Sequence, residues 1–323
     1  TPLPPLIYLN MKLKNSILGG GLFILLIVFL TDPADYAEAV FAGLKIWASS
    51  LLPAMLPFMF ISRLILDYGD LTFILRPAEK LLSSVFGVNK AFALPYVSGL
   101  LSGYPSAALL AGELCRKNIV PAFQLEKFLS FSLTVSPVFA LASLPLLCRL
   151  PNNIALIVFF SDLAGCALCG ALFNIFASKR SPSSSPSPQI SSDTYIPPKS
   201  IGNILSECIQ SCLMVGGFVA VFFMFIQMIS RLGLPQFFIV ILSGLIEMTS
   251  GCIAASSFFG MNILPVVITF FVSFGGVCVN LQCFAFVSQY GVKFPRLLFL
   301  KFLNALSATA VCSILLLLLN RFS

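Results

Sequence analysis

The chain contains no histidine, a single tryptophan and little charge: only 10% of its 323 residues are Asp, Glu, Lys or Arg. Without His, the usual zinc constellations and the His-based catalytic triads cannot be built. The poverty of charge excludes more. A soluble domain typically carries about 25% charged residues. This chain has too little polar surface for a soluble enzyme, a nucleic-acid-binding domain or a disordered protein. Also missing is a G-x-x-x-x-G-K-[ST] phosphate loop, so any energy for work comes from a gradient or a partner. The few acids are not clustered, so a membrane-embedded enzyme has no catalytic set, and neither cofactor nor metal is expected.

What is present is apolar. Hydrophobic residues make up 58% of the chain, 33 residues are Phe, and the mean hydropathy is +1.00. The apolar runs are long and continuous, unlike the alternating segments of about ten residues in a transmembrane barrel. Bare loops and open sheets cannot cross hydrocarbon, so the class is an all-α polytopic membrane protein. The net charge of +7 reads as Lys and Arg held on the cytoplasmic side rather than as a nucleic-acid surface. The 10 Cys fall mostly inside apolar stretches, where a free thiol behaves as a small hydrophobe. The Cys166/Cys169 C-x-x-C lies in such a stretch and lacks a redox-fold pattern.

The organisation follows from the runs. Residues 1–15 form an N-terminal extension, and 16–31 a first transmembrane helix with basic Lys12 and Lys14 before it. No small-residue cleavage site follows that helix at once, so it reads as retained rather than as a signal peptide. Residues 32–177 make a first repeat, with apolar segments near 43–65, 91–111, 123–147 and 154–177. Residues 178–200 are a Ser/Pro-rich cytoplasmic linker that cannot span. Residues 201–323 make a second repeat, with segments near 203–230, 235–258, 262–289 and 297–319. The halves correspond in order. Val97-Ser98-Gly99-Leu100 answers Leu242-Ser243-Gly244-Leu245 in the second segments, and Ser136-Pro137 answers Gly275-Gly276 in the third.

Charge then sets the topology. With a cytoplasmic N-terminus, a full crossing by 91–111 would put Arg116, Lys117 and Lys127 outside, against the positive-inside bias. A re-entrant hairpin broken near Ser102-Gly103-Tyr104-Pro105 keeps them inside. A second hairpin near 235–258 likewise places Lys293, Arg296 and Lys301 inside. All Lys and Arg except Lys45, Arg149, Arg231 and Arg321 are then cytoplasmic. The result is two inverted repeats with about seven spanning helices plus two hairpins, a recurrent design of transporters. The alternative is nine ordinary spanning helices.

Candidate site residues sit at the breaks. In Ser102, Gly103, Tyr104, Pro105 and Ser106, Gly and Pro free backbone groups that protein, water or ligand must satisfy. A half-helix starting near Pro105 would present N–H groups and a positive dipole end to an anion. Tyr104 adds an aromatic face. The same residues also suit a kink needed only for packing. The counterpart is Glu247 with Met248, Thr249 and Ser250, beside Ser243 and Gly244. A carboxylate in an apolar segment marks a pathway, a proton relay or an ion site. Glu247 is the first candidate for ion coupling and Asp162 the second. Ser136, Pro137, Gly275, Gly276, Asn280 and Gln282 line the cavity or act as glue between helices. Lys45 and Glu207 read as interfacial groups that snorkel to water.

The stretch from Asp32-Pro33 through Gly43-Leu-Lys-Ile-Trp47, then Leu51-Leu-Pro-Ala-Met-Leu-Pro-Phe58, resembles the opening of the YlbJ-type sporulation integral membrane protein family. Ser102-Gly-Tyr-Pro-Ser106, Ala107 to Leu114, Glu126, Phe131 to Pro137, Gly275-Gly276 and Gln282 extend the resemblance along the chain from about residue 32. The family carries a nucleoside-recognition, or gate, domain in each half and is similar to concentrative nucleoside transporters. The resemblance implies transport of a small organic anion, dipicolinic acid, from the mother cell towards the forespore during sporulation. It implies a place in the cell membrane or the outer forespore membrane, with the bilayer and either a second copy or a sporulation membrane complex as partners. The alternatives are a carrier of nucleosides or another metabolite, and a non-transporting membrane scaffold.

Overall fold

The computed structural model describes residues 5–69, 71–178 and 199–322, and every regular element among them is helical. An α-helix satisfies its backbone within one segment, which an apolar surround demands. Helix α1 (Pro5–Thr31) takes in the expected first membrane helix and part of the extension before it. The chain then turns by 102° at Asp32. The Asp32 carboxylate caps α2 (Pro33–Ile46) by accepting the Asp35 N–H at 3.3 Å. A π-helical turn, Trp47–Leu51, carries α2 into α3 (Leu52–Tyr68).

Helix α4 (Thr72–Ser84) is amphipathic, with Arg76 and Lys80 beside exposed Phe73 and Ile74. Its short apolar stripe escapes a search for membrane-length runs. A broken pair follows, α5 (Ala93–Ser102) and α6 (Tyr104–Arg116), interrupted at Gly103. Next come α7 (Ala122–Ser132), a break over 133–136, a π-helical turn Phe139–Ser143 and α8 (Leu144–Cys148). Helix α9 (Asn152–Ser178) closes the first half.

The second half repeats the order. Helix α10 (Ile201–Ser230) leads to a broken pair, α11 (Gln236–Ile246) and α12 (Met248–Phe258), interrupted at Glu247. A second broken pair follows, α13 (Leu264–Phe274) and α14 (Gly276–Val287), interrupted at Gly275. Helix α15 (Phe294–Phe322) ends it and packs along α9. The linker, expected at 178–200, lies for the most part outside the described residues.

Both hairpins close on themselves. The Asn89 N–H, before α5, donates to the Gln124 side chain, after α6, at 2.9 Å. The Phe237 ring, at the start of α11, lies 6.3 Å from Phe258 and 6.4 Å from Phe259 at the end of α12. Small residues let the arms touch. A Cβ on Gly99 would lie 2.6 Å from the Ala107 Cβ, and one on Gly251 would lie 2.0 Å from the Gly244 Cα. The matched Ser-Gly pairs therefore fall on equal positions of the two hairpins.

The long α10 relates the hairpins. Near its start, buried Arg63 of α3 bridges Glu207 of α10 and Glu113 at the end of α6, the latter at 2.9 Å. Lys199 joins both carboxylates, and Lys117 pairs with Asp67. Past its far end, Arg231 pairs with Asp32 at 2.7 Å and Asp35 at 2.6 Å. The Arg231 hydrogen bond holds the Asp32 carboxyl below its usual range. The first hairpin thus opens near the start of α10 and the second near its end.

Four described helical stretches are long and apolar enough to cross a bilayer: Asn152–Ile175, Ile201–Ser230, Leu264–Tyr290 and Phe294–Leu319. A fifth counts if the bent pair Gly19–Thr31 and Pro33–Leu51 is one span. The expected seven differs because it also enlists 43–65, which here comprises the end of α2, a π-helical turn and α3, and the α7–α8 stretch. Helix α7 carries Glu126 and Lys127 in eleven residues and stops at its break.

Candidate functional site

The two hairpin tips meet at a cleft that encloses about 550 Å³ of free space, its mouth included. Ser102, Gly103, Tyr104 and Pro105 line it from the first tip, and Glu247, Met248 and Thr249 from the second. Val135, Ser136 and Phe139 come from the first-half break, Val279 and Gln282 from α14, and Val215 and Val219 from α10. Ser50, Leu51 and Met55 complete the wall. Most of these side chains are apolar, with a few convergent polar groups, the usual make-up of a small-molecule site.

Glycine geometry explains why the tips sit there. Gly103 has φ +92°, a region that L side chains rarely adopt. It ends α5 and starts α6 in one residue, with Pro105 in the first turn, where a missing N–H costs nothing. The α6 N-terminus has no side-chain cap. The second tip differs. Glu247 caps α12 with its own carboxylate, accepting the Thr249 N–H at 3.1 Å and the Ser250 N–H at 2.7 Å. Glu247 is only 2% exposed. Among the described residues it is the only charged one lining the cleft, and no Lys or Arg is among them.

Of the residues singled out in the sequence, Ser102, Gly103, Tyr104, Pro105, Ser136, Glu247, Thr249 and Gln282 come together at the cleft. The Ser102 hydroxyl donates to the Ser98 carbonyl at 2.7 Å, and the Ser136 hydroxyl accepts the Phe139 N–H at 3.2 Å. The Gln282 amide donates to the Cys278 sulfur at 3.3 Å.

The others lie behind the wall. Among the described residues the buried Ser106 hydroxyl has no hydrogen-bond partner, and Ser250 meets Glu247 through its N–H. Pro137 starts the helical stretch after the first break. Ser243 and Gly244 serve hairpin packing, Gly244 against the Phe271 ring and Gly251. Gly275 and Gly276, with φ +78° and +67°, form the second break. Asn280 secures that break by donating to the Phe274 and Gly276 carbonyls at 2.8 and 2.7 Å.

Asp162 sits mid-way along α9, fully buried, and not at a helix end. Its carboxylate accepts the Val135 N–H at 2.9 Å and the Ser273 hydroxyl. Lys301, expected on the cytoplasmic flank, is instead 1% exposed inside the protein. Its ammonium donates to the Leu133 carbonyl at 2.7 Å and lies 5.0 Å from the Tyr104 ring centre. A charge count along the chain treats a Lys near a helix start as solvated; two turns into α15, this one finds a broken helix to cap. Lys45 is exposed, and Glu207 is partly exposed in its ion pairs with Arg63 and Lys199.

The sequence reading missed Ser50, Phe139 and Lys301. Ser50 and Phe139 belong to the two π-helical turns, Trp47–Leu51 and Phe139–Ser143. Such turns have no sharp sequence signature and recur at functional sites. The closest signal was Pro53, just past the first of them.

Helices of membrane length and a largely apolar cleft built at helix breaks define an α-helical integral membrane protein. Among known proteins, the chain is similar to the sporulation integral membrane protein YlbJ of Bacillus subtilis (strain 168), with 21% identity over 343 aligned positions, 95% of this chain and 84% of that protein. The likeness supports the YlbJ-type family read from the motifs. No family model and no solved structure matches the chain.

Proposed function

We propose that this chain is a carrier for a small organic anion, dipicolinic acid, moved from the mother cell towards the forespore during sporulation. The observation behind this reading is the meeting of two broken-helix tips, one from each half, at a single cleft. Discontinuous helices meeting between repeats are where transporters place their substrates. The two halves are inverted repeats in this reading, with a cytoplasmic N-terminus and re-entrant hairpins. In support, the hairpins open at opposite ends of α10. The likeness to YlbJ, a sporulation integral membrane protein, supports a role in sporulation, and in this reading the chain sits in the cell membrane or the outer forespore membrane.

Dipicolinate is a planar aromatic dianion. Val215, Val219, Met55 and Phe139 offer its ring an apolar slot, and the uncapped α6 N-terminus offers a carboxylate N–H groups. No Lys or Arg among the described residues lines the cleft to meet the second charge, and Glu247 adds a third. Unpaired buried charges are costly, so the substrate enters with protons, and Glu247 carries one of them. Asp162 does not line the cleft, which leaves Glu247 as the coupling carboxylate there.

The test is uptake of labelled dipicolinate into proteoliposomes across a range of pH. The parent chain takes up more as the outer pH falls, and Glu247→Gln flattens that dependence. An unchanged profile in Glu247→Gln would remove the coupling role.

A further inference from the structure

We propose that Asp162 and Lys301 form a charged clasp that sets the position of the cleft wall, Lys301 acting as a positioning residue that never touches substrate. The inference rests on the carrier reading above. The break after α7 leaves carbonyls at the end of one helix and N–H groups at the start of the next without helical partners. Lys301 takes the Leu133 carbonyl at 2.7 Å, and Asp162 takes the Val135 N–H at 2.9 Å. Asn304, one turn beyond Lys301, takes the Ser130 carbonyl at 2.9 Å. A cation thus meets the negative end of one half-helix and an anion the positive end of the next, the arrangement that helix dipoles favour.

The clasp reaches further than the break. Val135, Ser136 and Tyr104 line the cleft. Lys301 lies over the Tyr104 ring, and the Tyr104 hydroxyl donates to the Val272 carbonyl. The adjacent Ser273 hydroxyl donates to Asp162. One network therefore joins the first hairpin tip, the first break and α13. Its charges come from different halves, Asp162 from α9 and Lys301 from α15. Among the described residues the second break shows no such pair of charges, and Asn280 holds it by neutral hydrogen bonds from its own helix. The first break keeps its shape only while helices of both halves remain docked on it, so a shift of one half against the other is felt in the cleft wall.

The test uses a Ser136→Cys reporter in the full chain, labelled by a small thiol reagent, with the parent as background for its own cysteines. It compares Asp162→Asn, Lys301→Met and the double variant, with Lys301→Arg as the conservative control. Either single variant leaves one buried charge without its opposite and changes the reporter's labelling rate by about tenfold, while the double variant returns to within about threefold of the parent. Lys301→Arg stays near the parent. Unchanged labelling in both single variants, or a double variant equal to the two effects combined, would overturn the clasp. Should the single variants fail to fold, the double decides: folded with parental labelling supports the clasp, and unfolded contradicts it. Labelling needs no substrate. A chain without dipicolinate uptake that still follows this cycle would lose the carrier reading and keep the clasp.

Discussion

Gly103 rests against Ser136: a Cβ on Gly103 would lie 3.2 Å from the Ser136 nitrogen and 3.3 Å from its Cβ. The second half repeats the junction with the roles exchanged. There the glycine is on the broken helix, and a Cβ on Gly276 would lie 2.9 Å from the Ile246 carbonyl oxygen at the hairpin tip. In both halves a hairpin tip is seated on a helix break.

Gly103→Ala should destabilise the purified protein by about 1–3 kcal/mol, the cost of holding an ordinary residue in a sparsely populated backbone region. Thermal unfolding in detergent measures it. An unchanged melting temperature would show that the tip relaxes away from Ser136.

Gly251→Val forces the arms of the second hairpin apart, because the Gly244 backbone already occupies the space. Overpacking of this kind costs about 1–3 kcal/mol or more. The control is Gly260→Val, at an exposed position with no atom within 4 Å of its added Cβ. Equal melting temperatures for the two variants would contradict the hairpin geometry.

The two ends of α10 differ in what their ion pairs are worth. Arg63 is 5% exposed between Glu113 and Glu207, and its removal strands buried charge. Arg63→Ala should cost about 3–5 kcal/mol. Arg231, 41% exposed, pairs with Asp32 and Asp35 at the surface. Arg231→Ala should leave the unfolding midpoint close to the parent's, because exposed ion pairs are screened by solvent. Chemical or thermal unfolding of both variants checks the ordering, and the reverse order would contradict it.

If the halves are inverted, the hairpins open to opposite sides of the membrane. Lys117→Cys should react with an impermeant thiol reagent only from the cytoplasmic side, and Gly260→Cys only from the other. Labelling of both from one side would refute the inverted arrangement.

Much of this was legible in the residues. Gly103-Tyr104-Pro105 marked its break because a glycine beside a proline two residues on is poor helix and good helix start. Glu247 marked the second tip because a lone carboxylate in an apolar run needs a partner, and its own helix N-terminus supplies one. The placing of Arg116 and Lys117 with the other basic groups agrees with the Glu113 and Asp67 pairs. Lys301 was misplaced because one-dimensional charge counting cannot see a carbonyl freed 168 residues away. Ser50 was missed because a π-helical turn depends on packing rather than on local propensity. Asn280 was read as cavity-lining or as glue between helices; its amide is spent on the carbonyls of the glycine break.

In the carrier proposed above, dipicolinate passes through the cleft between the hairpin tips. Uptake of labelled dipicolinate into proteoliposomes holding the purified chain, with labelled uridine in parallel, tests it most directly. Dipicolinate uptake should exceed uridine uptake and be abolished by Gly103→Leu. Flux of uridine alone would point to a nucleoside carrier. No flux of either compound, from protein shown to be folded and inserted, would contradict the account and leave a membrane scaffold as the better reading.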